Sequence, residues 1–201
     1  MKELGIISVT YNQNYPLKTF INSLRSQTIQ NFDLHIIHDG EWDNNIKNSL
    51  YEEKYISEGI FLHNTDIRYN DYGHSLREFG IKRFYKKYKY LLITNCDNYY
   101  CPKFLEYVFS VTDDETGVVY FNMIHSHDQG YGTYSMLNTD FIGYRCDIGS
   151  FIVRSDIAGD INFNKKDFNA DAFFIDQINE YRTMYKKFEI KKVDKCLMVH
   201  N

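Results

Sequence analysis

The chain reads LGIISVTYNQNYPLKTFINSLRSQT over residues 4–28, and this stretch sets the expectation for everything that follows. Leu4 to Thr10 is a short apolar run that reads as a strand, closed by the polar Thr10, Tyr11 and Asn12. Pro16 suits the first turn of a helix, where its missing N–H costs nothing. Leu17, Phe20, Ile21 and Leu24 then recur at the i, i+3, i+4, i+7 spacing of one buried helical face, so a helix is predicted from about 15 to 28.

The same alternation continues outward. Asp33 to His38, Gly59 to Leu62 and Tyr90 to Thr94 read as further strands, Gly73 to about Lys87 as a helix, and Pro102 opens another with Phe104, Leu105 and Val108 on one side. A β-α-β-α order implies a single Rossmann-like α/β domain, with a mostly parallel central sheet covered by helices on both faces. Ligands of such sheets gather beyond the carboxyl ends of the strands. The second half is less regular. Gly117 to Ile124 and Phe151 to Arg154 read as strands, Asp171 to Tyr185 as a helix and Phe188 to Val193 as a last strand before a tail, Cys196 to Asn201. Residues 125–145, rich in His, Gly, Tyr and Asn, show no period and read as a loop. No repeat or low-complexity linker divides the chain.

With 201 residues, 43% hydrophobic and 25% charged, the chain has the balance of a globular domain and not of a disordered one. A net charge of −4 without a basic tail disfavours a nucleic-acid partner, whose binding rests on clustered Lys and Arg. The four cysteines, Cys96, Cys101, Cys146 and Cys196, form no CxxC pair and read as reduced thiols, which suits the cytoplasm. No apolar run reaches the roughly 18 to 20 residues of a membrane span, and no signal-peptide core follows Met1.

Polar residues stand just past three of the strand ends: Thr10, Tyr11 and Asn12; Asp39 and Gly40; Asn95 and Asp97. A carboxylate in such a place can accept hydrogen bonds from a base or ribose. Beside a diphosphate it is useful only through a cation that reverses the repulsion. Taken singly, Asp39 and Asp97 also suit turn or capping roles; their joint placement at strand ends favours ligand contact.

These segments, ISVTYNQNYPLKTFINSLRSQT (7–28), LHIIHDGEWDNN (34–45) and YLLITNCDNYYCPKFLEYV (90–108), resemble the family 2 glycosyltransferases of GT-A fold. The resemblance covers residues 4 to about 109 and implies transfer of a sugar from a nucleoside-diphosphate sugar, UDP-linked or alternatively GDP-linked, to a hydroxyl of a carbohydrate or glycoconjugate acceptor. It implies a nucleotide-sugar-binding half, about 1–110, and an acceptor and catalytic half, about 111–201. Thr10, Tyr11, Asn12 and Asp39 fall to donor binding, although the acidic pair usual before Gly40 is here His38-Asp39. NDYGHSLREFGIKRF (70–84) is similar to the family's Gly-x-x-x-Arg-Asn-x-Gly helix and places Arg77 toward the donor, with Glu78 where Asn is usual. Asn95-Cys96-Asp97 occupies the DxD-like position. The second acid, Asp97, is the implied ligand of Mn²⁺ or Mg²⁺, and Asn95 can still bond a ribose hydroxyl. His200, in KCLMVHN, matches the family's carboxyl-terminal metal ligand. NADAFFIDQI (169–178) puts Asp171 at the position of the catalytic base, with Ala170 where another acid is usual, and Asp176 as its competitor. GYRCDIGSFIVR (143–154) resembles the loop before that helix, which implies that Asp147 and Gly149 position donor sugar or acceptor. Inversion at the anomeric carbon is expected.

Rival readings follow from the same residues. The substitutions at Asn95 and Ala170 suit a non-catalytic nucleotide-sugar-binding module with a decayed site. A nucleotidyltransferase would need a Gly-rich phosphate loop that the first strand lacks. His125, His127 and Asp128 form a candidate separate metal site. Tyr131 and Tyr134 are candidates to stack on an acceptor sugar.

Overall fold

A computed structural model describes residues 2–126, 134–161, 163, 167–185 and 187–200. One continuous nine-stranded sheet runs through it in the order β3-β2-β1-β4-β8-β6-β9-β5, with β7 off this path and paired with the second half of β6. The first four strands are β1 (Leu4–Thr10), β2 (Phe32–His38), β3 (Ile60–Asn64) and β4 (Tyr90–Asn95). They are mutually parallel, and Leu4 stands level with Phe32 on one side and Tyr90 on the other. The second half adds β5 (Tyr99–Tyr100), β6 (Thr116–Ser126), β7 (Tyr134–Leu137), β8 (Phe151–Arg154) and β9 (Glu189–His200). There β4, β8 and β6 pair antiparallel, whereas β6 and β9 run parallel.

Alternation along β1 sends Leu4 and Ile6 to one face and Ile7 and Val9 to the other, and all seven residues are buried. That is the pattern of a strand covered on both sides. On the first face lie α1 (Tyr15–Arg25), α2 (Asn44–Glu52) and α4 (Phe104–Phe109), with Leu17, Phe20 and Phe104 in its core. On the second lie α3 (His74–Phe84), α5 (Ser155–Asp160) and α6 (Ala170–Met184), with Leu76, Ile157 and Phe174 in its core. Burying each such side chain contributes about 1.5–3 kcal/mol. Among the described residues no helix is long and apolar enough to cross a membrane.

The expected architecture is therefore the observed one, and the differences have physical reasons. The first helix stops at Arg25, because Gln27 instead ties the corner below: its Nε2 donates to the Ser23 and Cys101 carbonyls at 3.0 and 2.8 Å, and its Oε1 accepts from Leu105 N–H at 3.1 Å. The third strand begins after Gly59, whose φ of +82° makes it a turn residue. The stretch read as a loop contains β7, paired with β6 from Met123 to Ser126. The tail is not a tail: β9 runs on to His200, past register shifts beside Asn122 that bury Leu197 and Met198 in succession and break the alternation.

Candidate active site

The carboxyl ends of β1 and β4, the first turn of α3 and the start of α6 enclose a cavity of about 530 Å³. Thr10, Tyr11, Arg77, Asn95, Asp97 and Asp171 all line it, so the fold gathers six of the residues expected from the sequence into one space. Asn12 and Asp39 lie outside its lining. Asn12 takes a φ of +50°, and its N–H donates to His38 Nε2 at 3.1 Å. His38 Nδ1, 3.0 Å from the Gly40 carbonyl, is the ring's donor. Asp39, buried, accepts the backbone N–H groups of Tyr69 and Asn70 at 2.7 and 2.9 Å. Its carboxylate thus fixes the segment leading to α3 and keeps spare lone pairs.

Arg77 reaches the cavity from α3, behind Gly73, whose φ of +81° turns the chain into that helix. A Cβ on Gly73 would sit 2.8 Å from Val9 Cγ2. Arg77 is 3% exposed, and among the described residues its hydrogen-bond acceptors carry no formal negative charge. Nη1 donates to the Tyr72 carbonyl at 3.1 Å and to His74 Nδ1 at 3.0 Å, and Nη2 donates to Asn95 Oδ1 at 2.6 Å. Burial, and then the Arg77 charge, hold the His74 imidazole below its ordinary pKa, so it stays the acceptor.

Two carboxylates face this cation across the cavity. Asp97 and Asp171 each keep a buried Oδ1 with no hydrogen-bond partner among the described residues. Burial raises the pKa of both above the usual carboxylate value; Arg77 and His200 oppose the rise at Asp171, and the amide of Asp97 itself, His200 and Gln13 oppose it at Asp97. A carboxylate so placed is a stronger base than one in water. Cys96 between Asn95 and Asp97 turns inward, its thiol 2.9 Å from Thr10 Oγ1 and 2.8 Å from Gln13 Oε1, and burial pushes it up to about 12. It is a packing residue and not a nucleophile.

A second cavity of about 360 Å³ adjoins the first and shares Phe168 and Asp171 with it. Met123, Leu137 and Ala172 give it apolar surface, and His125, Arg145 and Asp147 give it polar groups. Asp147 caps the short 3₁₀ helix Ile148–Ser150 by accepting Gly149 N–H at 2.8 Å, and its Oδ2 lies 3.4 Å from His200 Nε2. His200 stacks on His125 with ring centroids 4.5 Å apart. Gly149 itself is buried and lines neither cavity; a Cβ there would lie 2.9 Å from both Thr94 Oγ1 and Asn98 Nδ2, so its place is one of close packing. Asp176 accepts Gly143 N–H at 3.2 Å and also lines neither.

Among the described residues no group of three or more His, Cys, Asp or Glu side chains stands close enough to hold a metal ion. His127, Asp128 and Tyr131 lie outside the described residues, and Tyr134 is 52% exposed on β7. The unpartnered Asp97 Oδ1 beside the cavity suits a hard divalent cation that takes one or two carboxylates and completes its shell with phosphate and water oxygens. Gln13, Tyr72, His74 and Phe168 are among the lining residues that escaped the sequence reading. His74 was within reach of it, since it precedes Arg77 by one helical turn; Phe168 had no periodic or motif signal.

No family model matches this chain, and no curated protein does. Solved structures do. TarS of S. aureus superposes with a TM-score of 0.74 at 16% identity over 99% of this chain and 36% of that one. TarS 1-349 in complex with UDP-GlcNAc gives 0.73 at 17% identity, covering 98% and 58%. The mannosyltransferase PcManGT from Pyrobaculum calidifontis, in complex with GDP-Man and Mn²⁺, gives 0.67 at 12% identity, covering 98% and 56%. At these identities the likeness is one of fold: the chain has the GT-A-like α/β architecture. It spans between 36% and 60% of the length of the TarS chains it matches.

Proposed function

We propose that this chain is a glycosyltransferase that moves a sugar from a nucleoside-diphosphate sugar to an acceptor hydroxyl, with inversion at the anomeric carbon. The observation that carries the reading is the shared wall. Asp171, a carboxylate made more basic by burial, borders both a cavity with a buried guanidinium and a second cavity large enough for another reactant. UDP-sugar is the first choice of donor and GDP-sugar the second; structures of this fold hold UDP-GlcNAc and GDP-Man.

In this reading the donor's diphosphate lies against Arg77, and Thr10, Tyr11 and Asn12 bound the nucleoside end, with Asp39 holding the segment beside it and offering its free lone pairs. Asn95 accepts from Arg77 and orients it. Asp171 takes the proton from the acceptor hydroxyl as its oxygen attacks the anomeric carbon. Asp147 and His200 brace the wall of the acceptor cavity next to it. Asp97, with His200 as the second candidate, would hold Mn²⁺ or Mg²⁺, which when bound stabilises negative charge developing on the leaving diphosphate.

The test is product analysis with a panel of UDP- and GDP-sugars, with and without Mn²⁺. Release of free nucleoside diphosphate with sugar transferred or hydrolysed supports the reading. Pyrophosphate release would indicate nucleotidyl chemistry, and a thermal shift without any turnover would indicate a binding module.

A further inference from the structure

We infer that Asn95 leaves the charge of Arg77 available to the ligand, so that the cavity binds a nucleoside diphosphate without a divalent cation. This rests on the reading of the cavity as a donor site and adds how its charge is set. Arg77 is buried, yet no carboxylate pairs with it among the described residues; its acceptors are a carbonyl, an imidazole and the Asn95 amide oxygen. A buried cation with no carboxylate in direct contact is costly, and a bound anion at the same wall recovers part of that cost. The short bond of 2.6 Å from Nη2 to Asn95 Oδ1 shows where a counter-ion would come from if position 95 were acidic. An aspartate there would meet the guanidinium as an ion pair and neutralise it within the protein. The neutral amide keeps the bond, and with it the aim of the guanidinium, while leaving the positive charge unspent. The carboxylates of Asp97 and Asp171 line the same cavity, so without Arg77 the space would repel phosphate. Asn95 is thus a positioning residue that acts through Arg77.

Calorimetric titration with UDP and with GDP, each in EDTA and in Mn²⁺, tests this on the parent and on Asn95→Asp. The parent should bind one of the two nucleotides measurably in EDTA, whatever further affinity Mn²⁺ adds. Asn95→Asp should lose about ten- to a hundredfold in EDTA and regain most of it in Mn²⁺, a metal-specific rescue that simple damage to the fold would not produce. A parent that binds only in Mn²⁺ overturns the inference and leaves the glycosyltransferase reading standing. So does an Asn95→Asp variant that binds in EDTA like the parent. A parent that binds neither nucleotide under either condition overturns both. The parent titration needs no variant, so it decides the matter even if Asn95→Asp fails to fold.

Discussion

Asp171 and Asp176 lie five residues apart on α6 and face different surroundings: Asp171 borders both cavities, whereas Asp176 bonds Gly143 N–H at 3.2 Å on the outer side. Five residues turn a helix by about 140° beyond a full circle, so only one of the two can face the site.

Asp171→Asn should therefore keep donor binding and lose about 10² to 10⁴ in transfer rate, the usual cost of removing a general base. Asp176→Asn should stay near the parent. Rapid-quench assays of sugar transfer decide it: a dead Asp176→Asn beside an active Asp171→Asn would move the base to the other face.

The same Asp171→Asn variant should be more stable than the parent at neutral pH. Burial raises the folded-state pKa of Asp171 above its unfolded value, so the folded state binds more protons between the two. Stability then falls as pH rises through that window, and the amide escapes the loss. Thermal unfolding at about pH 7 should show a higher Tm for Asp171→Asn, with the gain shrinking in acid; a lower Tm at about pH 7 would contradict the burial argument.

Asp97→Ala should abolish stimulation of turnover by Mn²⁺, because the remaining Asn95 amide is a poor partner for a hard cation. The measurement is turnover against Mn²⁺ concentration. Full activity of the parent in EDTA would remove the metal from the mechanism.

Asp39→Ala should weaken donor binding and also lower Tm, since it frees two backbone N–H groups, those of Tyr69 and Asn70, from their charged acceptor. Each hydrogen bond to a charged group is worth about 1.5–3 kcal/mol. Calorimetry with an unchanged affinity and an unchanged Tm would show that the carboxylate does neither.

Acid sensitivity should arise on β2, one strand in from the β3 edge of the sheet. His35 stacks on Phe84 at 3.8 Å and bonds Tyr88 and His63, and burial first, then His63 and the cations Lys87 and Arg83, lower its pKa to about 3. The unfolded chain takes that proton near pH 6.5, so between about 6.5 and 3 it binds more protons and stability falls with falling pH. His35→Phe should flatten the decline of Tm from about pH 7 to about pH 4.5; an unchanged slope would place its source elsewhere.

The elements legible in the sequence are those whose residues bury an unbroken pattern. β1 and β8 have the expected bounds, and α1 carries its apolar face at helical spacing. α2 was silent because only Leu50 of its nine residues is buried, and β5 because two residues carry no period. β9 misled because its register shifts spoil the alternation past Val193. For the site, Asp97 was legible as a polar residue after a strand end, whereas Arg77 and Asp171 came from the resemblance of their helices to the family's; all three line one cavity. That Asp39 would spend both oxygens on amides, or that Gly149 would be walled in by Thr94 and Asn98, depends on neighbours some 30 to 55 residues away in the chain and has no local trace.

The strand order also dictates when each part of the site can exist during synthesis. β1 to β4 find all their mutual neighbours within the first 95 residues. β5, however, pairs only with Val199 and Met198 of β9, and β6 takes β8 on one side and β9 on the other. A nascent chain can thus assemble the wall that holds Arg77 and Asn95 long before the turn bearing Asp97 is pinned, which waits for β9. Closing such distant pairs is the slow part of folding. The cleft is thus completed by β9, which acts as a latch: the site is whole only when that strand has paired with β5 and β6.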